Sequence, residues 1–341
     1  MMLHFGGKSG IGTFFRSGFL GVEFFYMVSG VFLAKKLSQS SDDAQPLGET
    51  MRTTGLFVWR RICSIYPFFF ASTAISYLLR LVYTRFQFSL LYNPLLLLSD
   101  LLLLKNLGFA NENSIGTVWY LSSLFIAYFL LYPWMKRFYR TFTEYCAPFI
   151  ALFIFGALTM KYGKLDLPWD FWGVANTGTL RAIASICLGA FVFRFSERVP
   201  QIGPHSAALW GAVECLLYLA VFGYILLFNS RETDSIVVLI LAAALTVTLS
   251  GRSVFHQRFD NAFTMFLGKS TLVLFMNHFF WMRYIDAMAS SLSLPTDVNM
   301  NALLGLALSA LTSAAAYGLG LLLRKAAAAF RAKHLIRAEA E

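Results

Sequence analysis

The chain contains apolar blocks that are too long for the buried helices of a soluble domain. LWGAVECLLYLAVFGYILLF covers Leu209 to Phe228, and NALLGLALSALTSAAAYGLGLLL covers Asn301 to Leu323. About 20 apolar residues are needed to cross a bilayer, and lipid offers no hydrogen-bond partner to the backbone. Only 13% of all residues are charged, compared with about 25% in soluble domains. The blocks therefore predict an all-α fold, a polytopic helical membrane protein.

Hydropathy along the chain predicts a series of complete spans and part of another. The complete spans lie near residues 18–34, 58–82, 118–135, 145–161, 178–195, 208–229, 234–250, 262–285 and 302–324. The apolar start, MMLHF, is typical of the end of an earlier span, so we expect about ten transmembrane helices, the first one truncated in this chain. The stretch from Leu90 to Phe109 has enough leucine to cross the bilayer, but Pro94, Asp100 and Lys105 interrupt it.

The distribution of basic residues decides between the two topologies that this stretch allows. Cytoplasmic loops of membrane proteins carry an excess of Lys and Arg. If residues 90–109 do not cross, most of the 28 Lys and Arg residues fall on one side of the membrane. We therefore expect this stretch to be a re-entrant or surface-lying helix, and both termini to be cytoplasmic. Residues 1–325 would form one transmembrane domain, and residues 326–341 a basic cytoplasmic tail on the anionic inner leaflet.

Charge and cysteine content exclude some classes of function. The net charge of +10 is explained by membrane orientation, because no soluble stretch alternates basic and aromatic residues as a nucleic-acid site would. The four cysteines form no C-x-x-C pair and have no metal-ligand spacing, so we expect no metal site. No internal repeat is visible, which disfavours transporter folds built from repeated halves.

Ionisable residues inside membrane spans are costly, and each is therefore a candidate for function. His4 lies at the outer end of the truncated first span, where it could be a general base or a histidine at an unstructured terminus. Glu23 lies one turn inside the next helix, on the same face as Tyr26 and Gly30. A carboxylate there can orient or ionise a histidine. The structural alternative is an ion pair between Glu23 and Arg16.

Two arginines, Arg60 and Arg61, stand at the inner mouth of an aromatic span. The fork-shaped guanidinium group suits phosphate, so the pair could clamp the phosphates of a substrate. The alternative is that both residues only anchor the helix at the cytoplasmic surface, as the positive-inside rule requires.

Four more residues are candidates for substrate-binding or supporting roles. An aromatic belt at the outer interface explains Trp119, but it does not explain the serine at position 122. Arg181 lies in the outer part of its span and must pair with an acidic group, for which Glu23 is a possible partner. His278 lies in the middle to outer part of a late span, where an inter-helix hydrogen bond and a catalytic role are both open.

In their order along the chain, these residues resemble the motifs of bacterial acyltransferase family 3, which comprises integral membrane O-acyltransferases. The family has a histidine in the first span followed by G-x-x-G-V-D/E-x-F-F-x-x-S-G, and here His4 precedes GFLGVEFFYMVSG. Its arginine-rich segment ending in I-Y-P is similar to RRICSIYP. Its W-S-L-S-type motif and its late L-G-x-x-S…H pattern are similar to WYLSSLFIAYFLLYP and LGKSTLVLFMNHF. The resemblance covers residues from 4 to about 280.

The resemblance implies transfer of an acyl group, usually acetyl from acetyl-CoA, to a hydroxyl of a cell-envelope or exported glycan at the bacterial inner membrane. His4 would be the general base or acyl relay, and Glu23 its orienting partner. Arg60, Arg61 and Tyr66 would belong to the acyl-CoA site. No metal is implied. The expected partners are acyl-CoA, a glycan or lipid-linked saccharide acceptor, and membrane lipid.

The chain departs from the family pattern at three places. An arginine about ten residues before the first histidine has no counterpart, because the chain begins only three residues before His4. Ser64 stands where the family usually has a third arginine, and Leu124 where a glutamate often ends the tryptophan motif. Two other functions stay open from the residues alone, namely an exporter of a lipid-linked saccharide or metabolite and a non-catalytic assembly partner.

Overall fold

The computed structural model describes residues 17–39, 46–83, 94–107, 117–167, 169–200, 206–256, 261–291 and 298–340. This part of the chain folds into eleven helices, a 3-10 turn, a π-helical turn and a two-stranded antiparallel hairpin. His4 and Arg16, two of the residues singled out above, lie outside the described residues.

The elements follow one another with short connections. They are α1 (Leu20–Ser38), α2 (Leu47–Tyr83), α3 (Pro94–Leu101), the 3-10 turn (Lys105–Leu107), α4 (Val118–Arg137), α5 (Tyr139–Thr141), the π-helical turn (Phe142–Cys146), α6 (Ala147–Tyr162), β1 (Phe171–Trp172), β2 (Ala175–Asn176), α7 (Thr177–Ser196), α8 (Ser206–Leu227), α9 (Asp234–Ser250), α10 (Ala262–Ser291) and α11 (Val298–Ala340).

A helix occupies each of the complete spans that hydropathy predicts, so the polytopic helical fold is confirmed. Six segments of the described chain are long and apolar enough to cross a bilayer: α2, α4, α5 together with α6, α7, α8 and α11. The helices α1, α9 and α10 fill the other predicted spans and pack against these six. The first predicted crossing would fall within residues 1–16, outside the described part, and the total of ten stays a prediction.

Large apolar side chains cover the outward faces of these helices. Phe149 and Phe153 of α6 are 70% and 66% exposed, and Leu216 and Leu219 of α8 are 68% and 67% exposed. A soluble monomer rarely exposes a contiguous apolar surface of this kind. The exposed faces are therefore those that lipid covers in a membrane.

The directions of α1 and α4 define two sides of the bundle. Near their beginnings, Tyr26 stacks on Tyr120 with ring centroids 4.6 Å apart. Near their ends, Lys36 and Tyr132 both contact Phe57 of α2, at 4.6 Å each from its ring centroid. The two helices thus run in the same direction. We call the end that holds Lys36 and Tyr132 the basic side, and the opposite end the far side.

The parallel directions of α1 and α4 test whether residues 90–109 cross the membrane. Since α2 runs back between them, an odd number of crossings between Tyr83 and Val118 would leave α4 antiparallel to α1. The helix found in this stretch, α3, has only 8 residues. At 1.5 Å per residue it covers about 12 Å of a hydrocarbon core about 30 Å thick. Both observations agree with the prediction that residues 90–109 do not cross.

The helices form two groups that meet along α2 and α4. In the first group, α7 lies at the centre, and α1, α4, α6 and α9 pack around it, with α8 outside α9. In the second group, α2, α10 and α11 pack on one another. The aromatic stack of Phe57 on Tyr132 is one of the contacts that join the groups.

A short hairpin sets the start of the central helix. In the hairpin Phe171 pairs with Asn176, and Gly173 adopts a left-handed conformation (φ 61°) in the turn, which glycine does at no steric cost. The side-chain oxygen of Asn176 then accepts a hydrogen bond from the backbone N–H of Thr179 (3.3 Å) and caps α7. This cap fixes the residue at which α7 begins, and therefore which of its side chains, Arg181 among them, face the bundle.

The predicted basic tail is not a separate element. Helix α11 has 43 residues and continues without a break from the last span through Ala340. At 1.5 Å per residue it is about 65 Å long, roughly twice the hydrocarbon thickness. The boundary at residues 325 and 326 is therefore a change in side-chain charge along one helix.

The helices α1 and α7 cross with their backbones in direct contact. A methyl group added at Gly30 would lie closer than 3.0 Å to the backbone of Ile186, and one added at Gly189 equally close to the backbone of Met27. Small residues permit such close approach of membrane helices. Because the obstructing atoms belong to the backbone, a larger side chain at either position can be accommodated only if the helices separate.

We predict that Gly30→Ala and Gly189→Ala each lower the free energy of unfolding by about 1–3 kcal/mol, the usual cost of overpacking. The measurement is the melting temperature of the purified protein in detergent. Gly21→Ala is the matched control in the same helix, because nothing lies within 4 Å of a methyl group there. Equal effects of Gly21→Ala and Gly30→Ala would contradict the close crossing.

Candidate active site

The centre of the site is a buried ion pair between the first turns of α1 and α7. The Arg181 Nε–H donates to Glu23 Oε1 at 2.6 Å, and Arg181 Nη2 lies 2.5 Å from the same oxygen. The Ser185 hydroxyl donates to Glu23 Oε2 at 2.6 Å. Arg181 and Ser185 are four residues apart and so lie on one face of α7. The predicted pairing of Glu23 with Arg181 is confirmed.

Because Glu23 and Arg181 are both buried, each charge requires the other as its partner. Glu23 and Arg181 are 0% and 1% exposed, and an isolated charge at such a position would be very unfavourable. The guanidinium group also lies against the rings of Phe19 and Trp119, at 5.6 and 5.7 Å from their centroids. Arg181 Nη1 is buried and has no hydrogen-bond partner among the described residues. The site thus retains one cationic donor for a bound group.

A polar cluster around Asn106 lies beside the ion pair. The Asn106 backbone N–H donates to the Ser122 hydroxyl (3.1 Å), and its side-chain amide donates to the Trp119 carbonyl (3.0 Å) and to the hydroxyl of Ser123. Ser123 in turn lies 3.4 Å from the hydroxyl of Thr179 in α7. The cluster anchors the 3-10 turn to the far side of α4 and α7, which keeps the non-crossing stretch close to Arg181.

A second buried cation belongs to the same region. Lys105 is only 4% exposed, and its Nζ lies 4.1 Å from the ring centroid of Trp169. Trp169 packs edge-on against Trp119 at 5.9 Å, and Trp119 contacts Arg181. Burial lowers the pKa of Lys105 to about 8, and the nearby carboxylate of Asp100 partly opposes that shift. Two tryptophan rings therefore stand between two buried cationic groups.

Among the contacts of the described residues, aromatic rings connect His278 with this region. His278 is 1% exposed, and its Nδ1 lies 2.6 Å from the Phe275 carbonyl oxygen. The Phe275 ring packs against Tyr120, which stacks on Tyr26 next to Glu23. His278 is thus a buried residue of α10, separated from the ion pair by the side chains between them.

The arginines at 60 and 61 lie on the basic side. Arg61 and Lys36 both lie over the Phe57 ring, at 5.8 and 4.6 Å. Arg60 is exposed next to them. The pKa of Lys36, in the terminal turn of α1, lies below its usual value because of partial desolvation and the neighbouring charges, those of Arg61 first. These positive charges face one another without an acidic residue among the contacts of the described chain.

An apolar groove of about 710 Å³ runs between the basic side and the polar cluster. Its walls come from α2, α4, α11 and the residues that follow α3. Trp59, next to Arg60, lines one part of the groove, and Ser122 lines another. Tyr66 lies along the wall, where its hydroxyl donates to the Leu101 carbonyl at 3.4 Å. The groove thus extends from Trp59, the neighbour of Arg60 in α2, to the serine of the Asn106 cluster.

These arrangements can be compared with known proteins. A family model described as an acyltransferase domain, that of acyltransferase family 3, matches residues 1–321. The chain belongs to acyltransferase family 3. Searches of curated proteins and of solved structures each found no match. The family and the apolar helices together identify a multi-pass membrane acyltransferase.

The site residues expected in this acyltransferase fall into separate places. Glu23, Trp119, Ser122 and Arg181 come together on the far side. Arg60 and Arg61 lie on the basic side, and Tyr66 lines the groove between them. In the contacts of the described residues His278 does not touch the ion pair, and His4 lies outside the described residues. The roles of all these residues stay predictions.

Three residues that lie with these side chains were not singled out in the sequence as candidates for function. Ser185 could have been found, because it follows Arg181 by one helical turn and so shares its face. Asn106 and Lys105 gave no such signal, since they lie in a leucine-rich stretch without periodicity that assigns a face. Their position follows from the return of the non-crossing stretch to α4, which depends on contacts distant in sequence.

We predict that Arg181→Met destabilises the protein by about 3–5 kcal/mol, because it leaves the buried carboxylate of Glu23 without its cation. The double variant Glu23→Leu with Arg181→Met should recover most of this loss, since apolar replacements of buried pairs are often neutral. Thermal unfolding in detergent measures both.

The control is Arg194→Met at the other end of α7. Arg194 is 25% exposed, and its Nε lies 2.8 Å from Glu144 Oε1. A partly exposed pair of this kind is worth about 0–1 kcal/mol. If Arg181→Met were no more destabilising than Arg194→Met, the ion pair would not be the structural centre of the site.

Proposed function

We propose that this family member is an O-acyltransferase that moves an acyl group, acetyl in the simplest case, from cytoplasmic acyl-CoA to a hydroxyl of a cell-envelope or exported glycan. The observation that carries the proposal is the separation of charges along the bundle. On the basic side, cations that form no ion pair with the described residues lie near one part of an apolar groove, and a buried, hydrogen-bonding site on the far side lies near another. Such a division suits a donor and an acceptor that approach from opposite surfaces.

The donor end would be the basic side. Arg60, Arg61 and Lys36 offer several N–H donors without competing carboxylates in the described contacts, and Arg is well suited to phosphate. Coenzyme A carries its phosphates at one end and its thioester at the other. The excess of Lys and Arg on this side supports a cytoplasmic orientation, where acyl-CoA is available.

The groove would hold the apolar part of the donor. Its lining is apolar apart from a few groups such as the Tyr66 and Ser122 hydroxyls, which suits the extended arm that links the phosphates of coenzyme A to its thioester. With the phosphates at Arg60 and Arg61, the thioester would point along the groove towards Ser122. This placement would bring the acyl group to the Asn106 cluster, on the side of Glu23 and Arg181.

The reaction joins the oxygen of the acceptor hydroxyl to the thioester carbonyl carbon, and the carbon–sulfur bond breaks. The proton of the hydroxyl is taken by a general base and ends on the departing thiolate, so coenzyme A leaves as a thiol. We assign the base to His4, with Glu23 as the carboxylate that orients it. Arg181 would hold Glu23 in place and offer Nη1 to the negative charge that develops on the carbonyl oxygen.

We expect membranes that contain the full chain to transfer label from acetyl-CoA to glycan. His4→Ala should reduce the rate by about 10²–10⁴, the usual contribution of a general base. Arg194→Met, outside the proposed site, should leave transfer unchanged. Full transfer by His4→Ala would refute the mechanism, and glycan export without labelling would favour the exporter function instead.

The donor end has its own test. Arg61→Ala and Arg60→Ala should each raise the KM for acetyl-CoA by about tenfold, the loss expected for one charge-assisted hydrogen bond. The kcat should change little, because the phosphates lie far from the reacting bond. A change in kcat without a change in KM would contradict the assignment of these arginines to coenzyme A.

A further inference from the structure

A second groove lies between α8 and α9 and shares no lining residue with the first one. Its volume is about 670 Å³, and most of its wall is apolar, with Leu219 and Ile225 along α8 and Phe255 beyond the end of α9. One buried acidic side chain, Glu214, lines the same groove. The proposed acyl transfer makes no use of this carboxylate.

Glu214 ends a short chain of hydrogen bonds. The Thr248 hydroxyl donates to Glu214 Oε1 at 2.6 Å, and the Tyr218 hydroxyl lies 3.0 Å from the Thr248 hydroxyl. With Thr248 donating to the carboxylate, Tyr218 is left to donate to Thr248. The other carboxylate oxygen, Oε2, is buried and has no hydrogen-bond partner in the described part of the chain. Glu214 itself is 8% exposed.

Glu214 lies in the half of α8 (Ser206–Leu227) that is nearer the basic side. The backbone N–H of Val254, beyond the end of α9, donates to the Ala207 carbonyl at 3.1 Å. The side chain of Val254 also contacts Gly211. Glu214 follows Gly211 by three residues, or about 5 Å along α8. Among the polar groups of a phospholipid in the leaflet at the basic side, the head group is therefore the one nearest to this carboxylate.

The chemistry of this position selects a donor with a positive charge. A carboxylate inside the membrane is costly unless a cation or a strong donor satisfies it. No Lys or Arg of the described chain forms an ion pair with Glu214, and both neighbouring hydroxyls already direct their hydrogens within the chain of hydrogen bonds. An ammonium group supplies charge and N–H donors together. The apolar wall continues from Glu214 towards the far side and can hold an acyl chain.

We propose that this groove binds a phospholipid with a primary ammonium head group, of the phosphatidylethanolamine type. The ammonium group pairs with the Glu214 carboxylate, and one acyl chain lies along Leu219 and Ile225. The site is independent of the acyl-transfer proposal, since it uses other helices and a carboxylate that lines a different groove. Its role is to hold one lipid against α8 and α9 from the basic side.

The test is lipid binding by the purified full chain, measured by native mass spectrometry after delipidation. The probes are phosphatidylethanolamine, phosphatidylcholine, whose head group has no N–H donor, and phosphatidylglycerol, whose head group offers only hydroxyls. We expect the wild type to bind phosphatidylethanolamine at least about tenfold more tightly than the other two, as a charge-assisted hydrogen bond provides. Glu214→Gln should abolish this preference.

The matched control is Glu197→Gln, an exposed acidic residue after α7, which should keep the preference. Leu219→Trp provides a second variant, because it fills the groove without changing any charge and should weaken binding of phosphatidylethanolamine. Retained preference in Glu214→Gln, or unchanged binding in Leu219→Trp, would overturn the proposal. Equal binding of phosphatidylglycerol and phosphatidylethanolamine by the wild type would also overturn it. So would a protein dimer without lipid preference that Leu219→Trp dissociates, because a second copy of the chain would then occupy the groove.

Discussion

The contact between α1 and α7 is the constraint on which the rest of the bundle depends. Gly30 and Gly189 let the two backbones touch, and this approach brings Glu23 within hydrogen-bond distance of Arg181 and Ser185. The ion pair and the crossing support each other. If α1 and α7 were farther apart, the charges of Glu23 and Arg181 would be buried without partners. If the two charges were absent, the helices would lose the contact that fixes their register.

This contact also organises the far side. With Arg181 held against α1, its outer face contacts Trp119 of α4, and the first turn of α4 carries the serines that bind Asn106. Because the stretch after α3 does not cross the membrane, it can bring Asn106 into this position. The polar cluster is therefore a product of three features: a close helix crossing, a buried ion pair and a loop that returns to the side it left.

Much of this arrangement could be predicted from the sequence, because membrane spans leave a strong signal. Apolar length places the helices, and the distribution of Lys and Arg correctly indicates that residues 90–109 do not cross. The pairing of Glu23 with Arg181 could also be foreseen, since a buried arginine requires an acidic partner. Such arguments use only the cost of exposing polar groups to lipid, which depends little on tertiary detail.

Other parts depend on which helix faces which, and hydropathy carries little of that information. Gly30 shares a face with Glu23, and a small residue there lets another helix approach, but nothing in the sequence indicates that Gly189 lies opposite it. Residue type and depth make His278 a candidate, but they do not show that its ring packs beside Phe275, which in turn packs on Tyr120. Glu214 could be recognised as a carboxylate in an apolar span, while its groove exists only in the packed pair α8 and α9.

The location of the first groove has a mechanical consequence. Its walls belong to both helix groups, with Phe125 of α4 on one side and Trp59 of α2 and Ala327 of α11 on the other. Movement between packed helices takes place most easily as small sliding at the boundary of two such groups, because neither core has to be disrupted. The first groove therefore lies at the boundary between the two helix groups. A small shear at this boundary would change the width of the groove and leave the Glu23–Arg181 ion pair, inside the α7 group, intact.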